Sequence, residues 1–167
     1  MLIRIGILIM ALLFGTFCGF NNAEKLKKRV DLCAESEKMI QLCEIMIRSS
    51  GMDVYKLVSR LKNENYRELS FINELSENYD ADEEFRVSWK NALGKCRDIG
   101  EEEKRILMDI GNFLGSTDIS GQLSGMAVQY ELMHNICEKR RAELLQKGRL
   151  YRSIGVLAGL TVGIMII

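Results

Sequence analysis

A chain of 167 residues that contains no proline and is apolar at both ends has few folds open to it. Proline stops helices through its missing amide and its clash with the preceding turn, and nothing here supplies that stop. Residues 1–20 hold one charge, Arg4, and their length approaches the roughly 20 residues that a helix needs to cross a hydrocarbon core. They are read as a membrane span. Residues 154–167 are shorter, but a start at Leu150 gives about 18 residues, or roughly 27 Å of helix. Arg149 and Arg152 would then reach toward the headgroups.

A cleaved leader is the rival reading of the first run. Bulky Phe17 before Cys18 suits neither a small-residue cleavage site nor a lipoprotein cysteine, and Lys25, Lys27, Lys28 and Arg29 follow at once. Positive charge just after an apolar run opposes translocation, so the segment is expected to stay. Beside the second run sit Lys139, Arg140, Arg141, Lys147, Arg149 and Arg152. Both basic clusters flank the middle, which predicts transmembrane helices at 1–20 and 150–167 around a cytoplasmic domain at 21–149.

Overall charge hides this layout, because 23 basic and 23 acidic side chains cancel. Acids gather at Glu74, Glu77, Asp80, Asp82, Glu83 and Glu84, and again at Glu101, Glu102 and Glu103. Solvated helix starts account for both groups through the helix dipole. The sharper reading makes Glu101, Glu102 and Glu103 a docking face for a cytosolic partner.

Helical periodicity fills the middle and predicts six helices. The first runs from Glu24 to Arg48, opened by a capping box of Asn21 with Glu24 and stopped at Ser49, Ser50 and Gly51. A second, near Val54 to Lys62, places Val54, Leu57, Val58 and Leu61 on one side. The third opens at Asn65 with Glu68 and buries Leu69, Ile72, Leu75 and Tyr79. The fourth begins at Asp80, carries Phe85, Trp89, Leu93 and Cys96, and ends at Gly100. The fifth starts on Glu101 to Glu103 and buries Ile106, Leu107, Ile110, Phe113 and Leu114 before Gly115. Thr117 or Asp118 caps the sixth, which runs to Lys147 with Leu123, Met126, Tyr130, Met133 and Cys137 along one seam. Gly111 and Gly115 face a second small-residue set, Ser120, Gly121, Ser124 and Gly125, which predicts close backbone approach in that hairpin. The fold class is therefore all-α: a cytoplasmic six-helix bundle flanked by an N-terminal and a C-terminal transmembrane helix.

Chemistry is scarce. Five cysteines form no CxxC pair, and Cys33 and Cys43 lie roughly 15 Å apart if both are on one helix, too far to bridge. Buried thiols in a reducing compartment are expected. His134, the sole histidine, follows Glu131 by three residues, like the Glu-x-x-His ligand pair of di-iron bundles. Those sites need two such pairs and two further glutamates, so no metal and no cofactor are expected. There is no phosphate loop and no nucleophile elbow, and an enzyme is not expected. The basic residues flank apolar runs without interleaved aromatics, so membrane lipid, not nucleic acid, is their expected partner.

Glycine repeats every four residues at Gly155, Gly159 and Gly163 and again at Gly15 and Gly19. In a span, such a stripe lets a second helix approach closely. These five glycines are the expected transmembrane packing surface, between the two spans or against neighbouring subunits, with a homo-oligomer among the outcomes.

Several stretches resemble a known family: the apolar start, residues 41–61, residues 88–93, residues 107–122 and the end from Lys147. The most specific are Leu114, Gly115, Asp118 and Gln122, and the terminal Tyr151, Arg152, Gly155, Leu157 and Gly159. Together they resemble stage III sporulation protein AB over nearly the whole chain. Members usually carry Thr-Pro-Leu after the first long helix, where this chain has Gly51, Met52 and Asp53. The resemblance implies a membrane component of the channel between mother cell and forespore, placed in the mother-cell membrane. It also implies a soluble bundle similar to the type II secretion inner-membrane platform protein. The partners it implies are a secretion-type ATPase and the other membrane subunits. The expected function is a non-enzymatic assembly platform; the alternative is a membrane-anchored signalling or sensor module that binds a small ligand.

Overall fold

The computed structural model describes the backbone of residues 2–50, 54–76, 82–114 and 119–166. Within those stretches it leaves out the side chains of residues 2–5, 7–9, 11, 12, 18, 50, 54, 55, 82, 83, 152, 155, 158–160 and 162–166. The helices are α1 (Leu2–Ser50), α2 (Val54–Asn63), α3 (Asp82–Lys95), α4 (Glu101–Phe113) and α5 (Ile119–Ile166), with a 3-10 segment at Ser70–Glu74. No strand occurs among the described residues. The chain divides into two compact units, 1–30 with 139–167, and 31–138.

Both long helices run further than their sequences predicted. α1 passes through Asn21 and Glu24 without a break, so the capping box expected there is not formed. Where helix continues on both sides, an interior Asn costs only about 0.5 kcal/mol, and without proline nothing compels a stop. α5 likewise continues past Lys147. The apolar ends are thus the outer parts of α1 and α5, not separate helices, and the cap expected at Thr117 or Asp118 lies outside the described residues. Among the described residues no helix is long and apolar enough to cross a membrane, so the two flanking transmembrane helices are not supported there. Most apolar side chains of 1–12 and 158–167 fall outside the described set.

The core of unit 31–138 is built from the predicted faces. Met39, Ile40, Cys43 and Ile47 of α1 meet Leu57, Val58 and Leu61 of α2 and Met126 and Met133 of α5, all buried. Phe85, Trp89 and Leu93 of α3 join Ile106, Leu107 and Ile110 of α4 in the same cluster. Trp89 sets the geometry here. Its ring lies 5.0 Å from Phe71, edge-on, and 5.6 Å from Phe85, and its indole N–H donates to the Leu107 carbonyl at 2.7 Å.

Gly111 makes that approach feasible, because a Cβ there would overlap the Trp89 ring. Gly125 similarly faces the Phe113 ring, whose nearest carbon would lie 3.0 Å from an added Cβ. Gly111 and Gly125 thus each admit an aromatic ring, and Gly115 of the expected close approach lies outside the described residues. Gly100 does not end α3, which stops at Lys95; it is the N-cap of α4.

The third predicted helix is the clearest departure. No α-helix opens at Asn65, which takes a left-handed φ of 56°. Instead Glu35 of α1 accepts the backbone amides of Arg67 (3.1 Å), Glu68 (2.7 Å) and Leu69 (3.3 Å). Amides bound by this carboxylate hold an open turn, and only the short 3-10 segment follows. Leu69, Ile72 and Leu75 are buried as expected, while Tyr79 lies outside the described residues. Lys38 fastens the neighbouring turn, bonding Glu64 at 3.0 Å and lying 5.7 Å from the Tyr66 ring centroid.

Candidate docking and membrane-facing surfaces

The acidic first turn of α4 splits by burial. Glu101 and Glu102 are exposed, whereas Glu103 is 1% exposed and turned inward. Its carboxylate packs back over Gly100 and lies 3.9 Å from the Cys33 thiol of α1. All three acids still favour the positive end of the helix dipole, but the solvent face carries two of them.

Glu103 faces a thiol layer. Cys33 and Cys137 are buried on α1 and α5, and the adjoining Cys33 thiol, burial and the nearby Glu37 push the Cys137 thiol well above its ordinary range. Burial raises Cys43 to about 12. Such thiols are protonated and inert at neutral pH, and Cys33, Cys43, Cys96 and Cys137 are all unbridged.

His134 does not pair with Glu131, which points to solvent. Its Nδ1 lies 2.8 Å from a Glu37 carboxylate oxygen, and its ring stacks on Tyr130 with centroids 6.1 Å apart. The Tyr130 hydroxyl in turn accepts from Gln41 at 3.1 Å. These contacts make a polar latch between α1 and α5. Among the described residues no group of three or more potential ligands has metal-binding geometry. Sequence reasoning missed both Glu35 and Glu37; their spacing on α1 carries no local signature.

Between the 3-10 segment and α3 lies an open groove of about 430 Å³, with Ala92 and Val87 against Glu74, Glu84 and Lys95. Lys95 pairs with Glu74 at 3.4 Å across it.

In unit 1–30 with 139–167, the glycine stripe is partly described: Gly19 and Ala23 are buried and Gly15 is half-buried. The side chains at 155, 159 and 163 lie outside the described residues. Away from the stripe, Met10, Leu13, Phe14, Phe17 and Phe20 are exposed, as are Leu150, Ile154 and Leu157 on α5.

The family comparison covers residues 4–167, where the chain matches stage III sporulation protein AB. The chain belongs to that family. Membership gives it a sporulation role within a family that is not a known enzyme family. No curated protein and no solved structure matches the chain.

Proposed function

We propose that this chain is a membrane-anchored assembly platform of the sporulation channel between mother cell and forespore. Its helical bundle would lie in the mother-cell cytoplasm and receive a secretion-type ATPase, as the platform protein of type II secretion does. The observation that carries the anchoring is the stripe of exposed Met10, Leu13, Phe14, Phe17 and Phe20 on α1. In water that much contiguous apolar surface is costly. Lipid or neighbouring helices remove the cost.

Charge placement supports crossing over lying flat. A helix lying in the interface keeps its cations on the face opposite its apolar side chains. Lys28 follows Met10 by 18 residues, about five whole turns, so it shares the apolar face and is separated from it along the axis. Charge beyond the apolar run, not behind it, is the pattern of a span.

Two measurements test the reading. Alkaline carbonate should leave the full chain in the membrane pellet; release into the wash would sink the anchor. Affinity purification from sporulating cells should recover the ATPase, with recovery reduced by Glu101→Lys with Glu102→Lys. Purification of the channel subunits without the ATPase would remove the platform role.

A further inference from the structure

We infer that the cations bordering the apolar surface of α1 and α5 form a collar selective for anionic phospholipid headgroups. The inference rests on the membrane anchoring proposed above and adds to it the lipid class.

Pairing separates these cations from many others in the chain, and their place beside the apolar surface separates them from Lys56, Lys90 and Arg97, equally exposed and unpaired among the described residues. Lys38, Arg48, Arg60, Lys95, Arg140 and Lys147 all sit within 4.0 Å of a carboxylate. Lys25, Lys27, Lys28 and Arg29 on α1, and Arg149 on α5, are exposed and form no ion pair among the described residues. At about 100° per residue the four on α1 spread over roughly 200° of the helix circumference, on the side away from buried Gly19 and Ala23.

Depth gives the second argument. Lys25 lies about 7.5 Å along the helix axis beyond Phe20, and Arg29 about 13.5 Å. The headgroup layer is about 5–7 Å thick on each side of the core. Helix side chains tilt toward the N-terminus, so on α1 these long side chains lean back toward the apolar run and into that layer. Arg149 precedes Leu150 directly, and its tilt carries it away from the apolar residues to the same level. Phosphate oxygens are the anions found there, and cations so placed are attracted to anionic lipid.

The test reconstitutes the full chain in vesicles of phosphatidylcholine with phosphatidylglycerol and measures each lipid's association with the protein by spin-label competition. The expected result is a preference for phosphatidylglycerol on the order of five-fold, what one well-placed cation supplies. It should weaken in high salt and fall in the quadruple variant Lys25→Gln, Lys27→Gln, Lys28→Gln, Arg29→Gln, which keeps only Arg149 of the collar. It should persist when the exposed Lys56, Lys90 and Arg97 are changed to Gln instead. Equal association of the two lipids with the unmodified chain, or an unchanged preference in the quadruple variant, would overturn the collar. Should the chain fail to insert in either lipid, the anchoring reading falls. Flotation with phosphatidylglycerol vesicles then decides the collar: salt-sensitive binding lost in the quadruple variant upholds it, and no binding removes it. Tighter collar-dependent binding to a single-stranded oligonucleotide than to the vesicles would assign the cations to nucleic acid and overturn the proposal.

Discussion

The indole N–H of Trp89 donates to the carbonyl oxygen of Leu107 at 2.7 Å, and the side chain missing from Gly111 leaves room for the ring that does so. One contact thereby couples α3 and α4 through a hydrogen bond and a cavity of matched shape. Gly111→Ala should cost about 1–3 kcal/mol by overpacking, although alanine is the better helix former. Trp89→Phe should cost a similar amount, because the buried Leu107 oxygen loses its second donor. Urea unfolding followed by circular dichroism reads both. In the Trp89→Phe background the Gly111→Ala penalty should shrink, and strictly additive effects would show that the two positions do not share this space.

Glu35→Ala should destabilise the chain by about 2–3 kcal/mol, since three backbone amides lose a charged acceptor. Glu35→Gln retains one oxygen acceptor and should recover part of that. If the alanine variant unfolds at the wild-type denaturant midpoint, the carboxylate is not holding the 67–69 turn.

Thiol reactivity should sort by burial. In a Cys18→Ser background, an aromatic disulfide reagent at pH 8 should label half-exposed Cys96 first, with Cys33, Cys43 and Cys137 protected until the bundle opens. The Cys43 thiol, held near 12 in the folded chain, ionises more readily once unfolded. Its contribution to stability is therefore whole below about pH 8.5 and is lost as pH climbs toward 12. Alkaline unfolding should set in within that window and move upward in Cys43→Ala or Cys43→Val.

Acid should act at the Lys38–Glu64 pair. The Lys38 hydrogen bond and charge hold the Glu64 carboxyl below its usual range. A depressed folded value means that the stabilisation is present above the unfolded value of about 4.3 and fades as pH falls through the folded one. In Lys38→Met the Glu64 titration, followed by NMR of its side-chain carboxyl, should move up. A titration curve unchanged by the substitution would leave the pair without electrostatic effect.

Much of the core was legible because burial in helices repeats every three or four residues. Leu57, Val58 and Leu61, Phe85, Trp89 and Leu93, Ile106, Leu107 and Ile110, and Met126, Met133 and Cys137 are buried as their spacing predicts. Local signals failed where a distant side chain displaced them. Asn65 with Glu68 has the form of a capping box, yet Glu35, more than thirty residues away, takes the amides that such a helix would have used.

The candidate docking face was legible in part. Glu103 precedes Ile106, Leu107 and Ile110 by three, four and seven residues, so helical spacing already sets it on the buried face, whereas its contact with Cys33 of α1 is non-local. His134 was readable as a polar residue beside the α5 seam, but its partner Glu37 lies 97 residues earlier. The exposed apolar stripe on α1 follows from the apolar sequence itself, with Gly19 and Ala23 set apart from it by burial.

The turn at 67–69 carries no instructions of its own, because its acceptor is lent by α1 across 32 to 34 residues of chain. It cannot set before the stretch of α1 around Glu35 has formed and the intervening loop has closed, a non-local step that is slow compared with winding a helix. During synthesis the turn must therefore wait for the helix that emerged ahead of it. In the finished protein its three amide protons should exchange with solvent together, in a single opening event that withdraws Glu35.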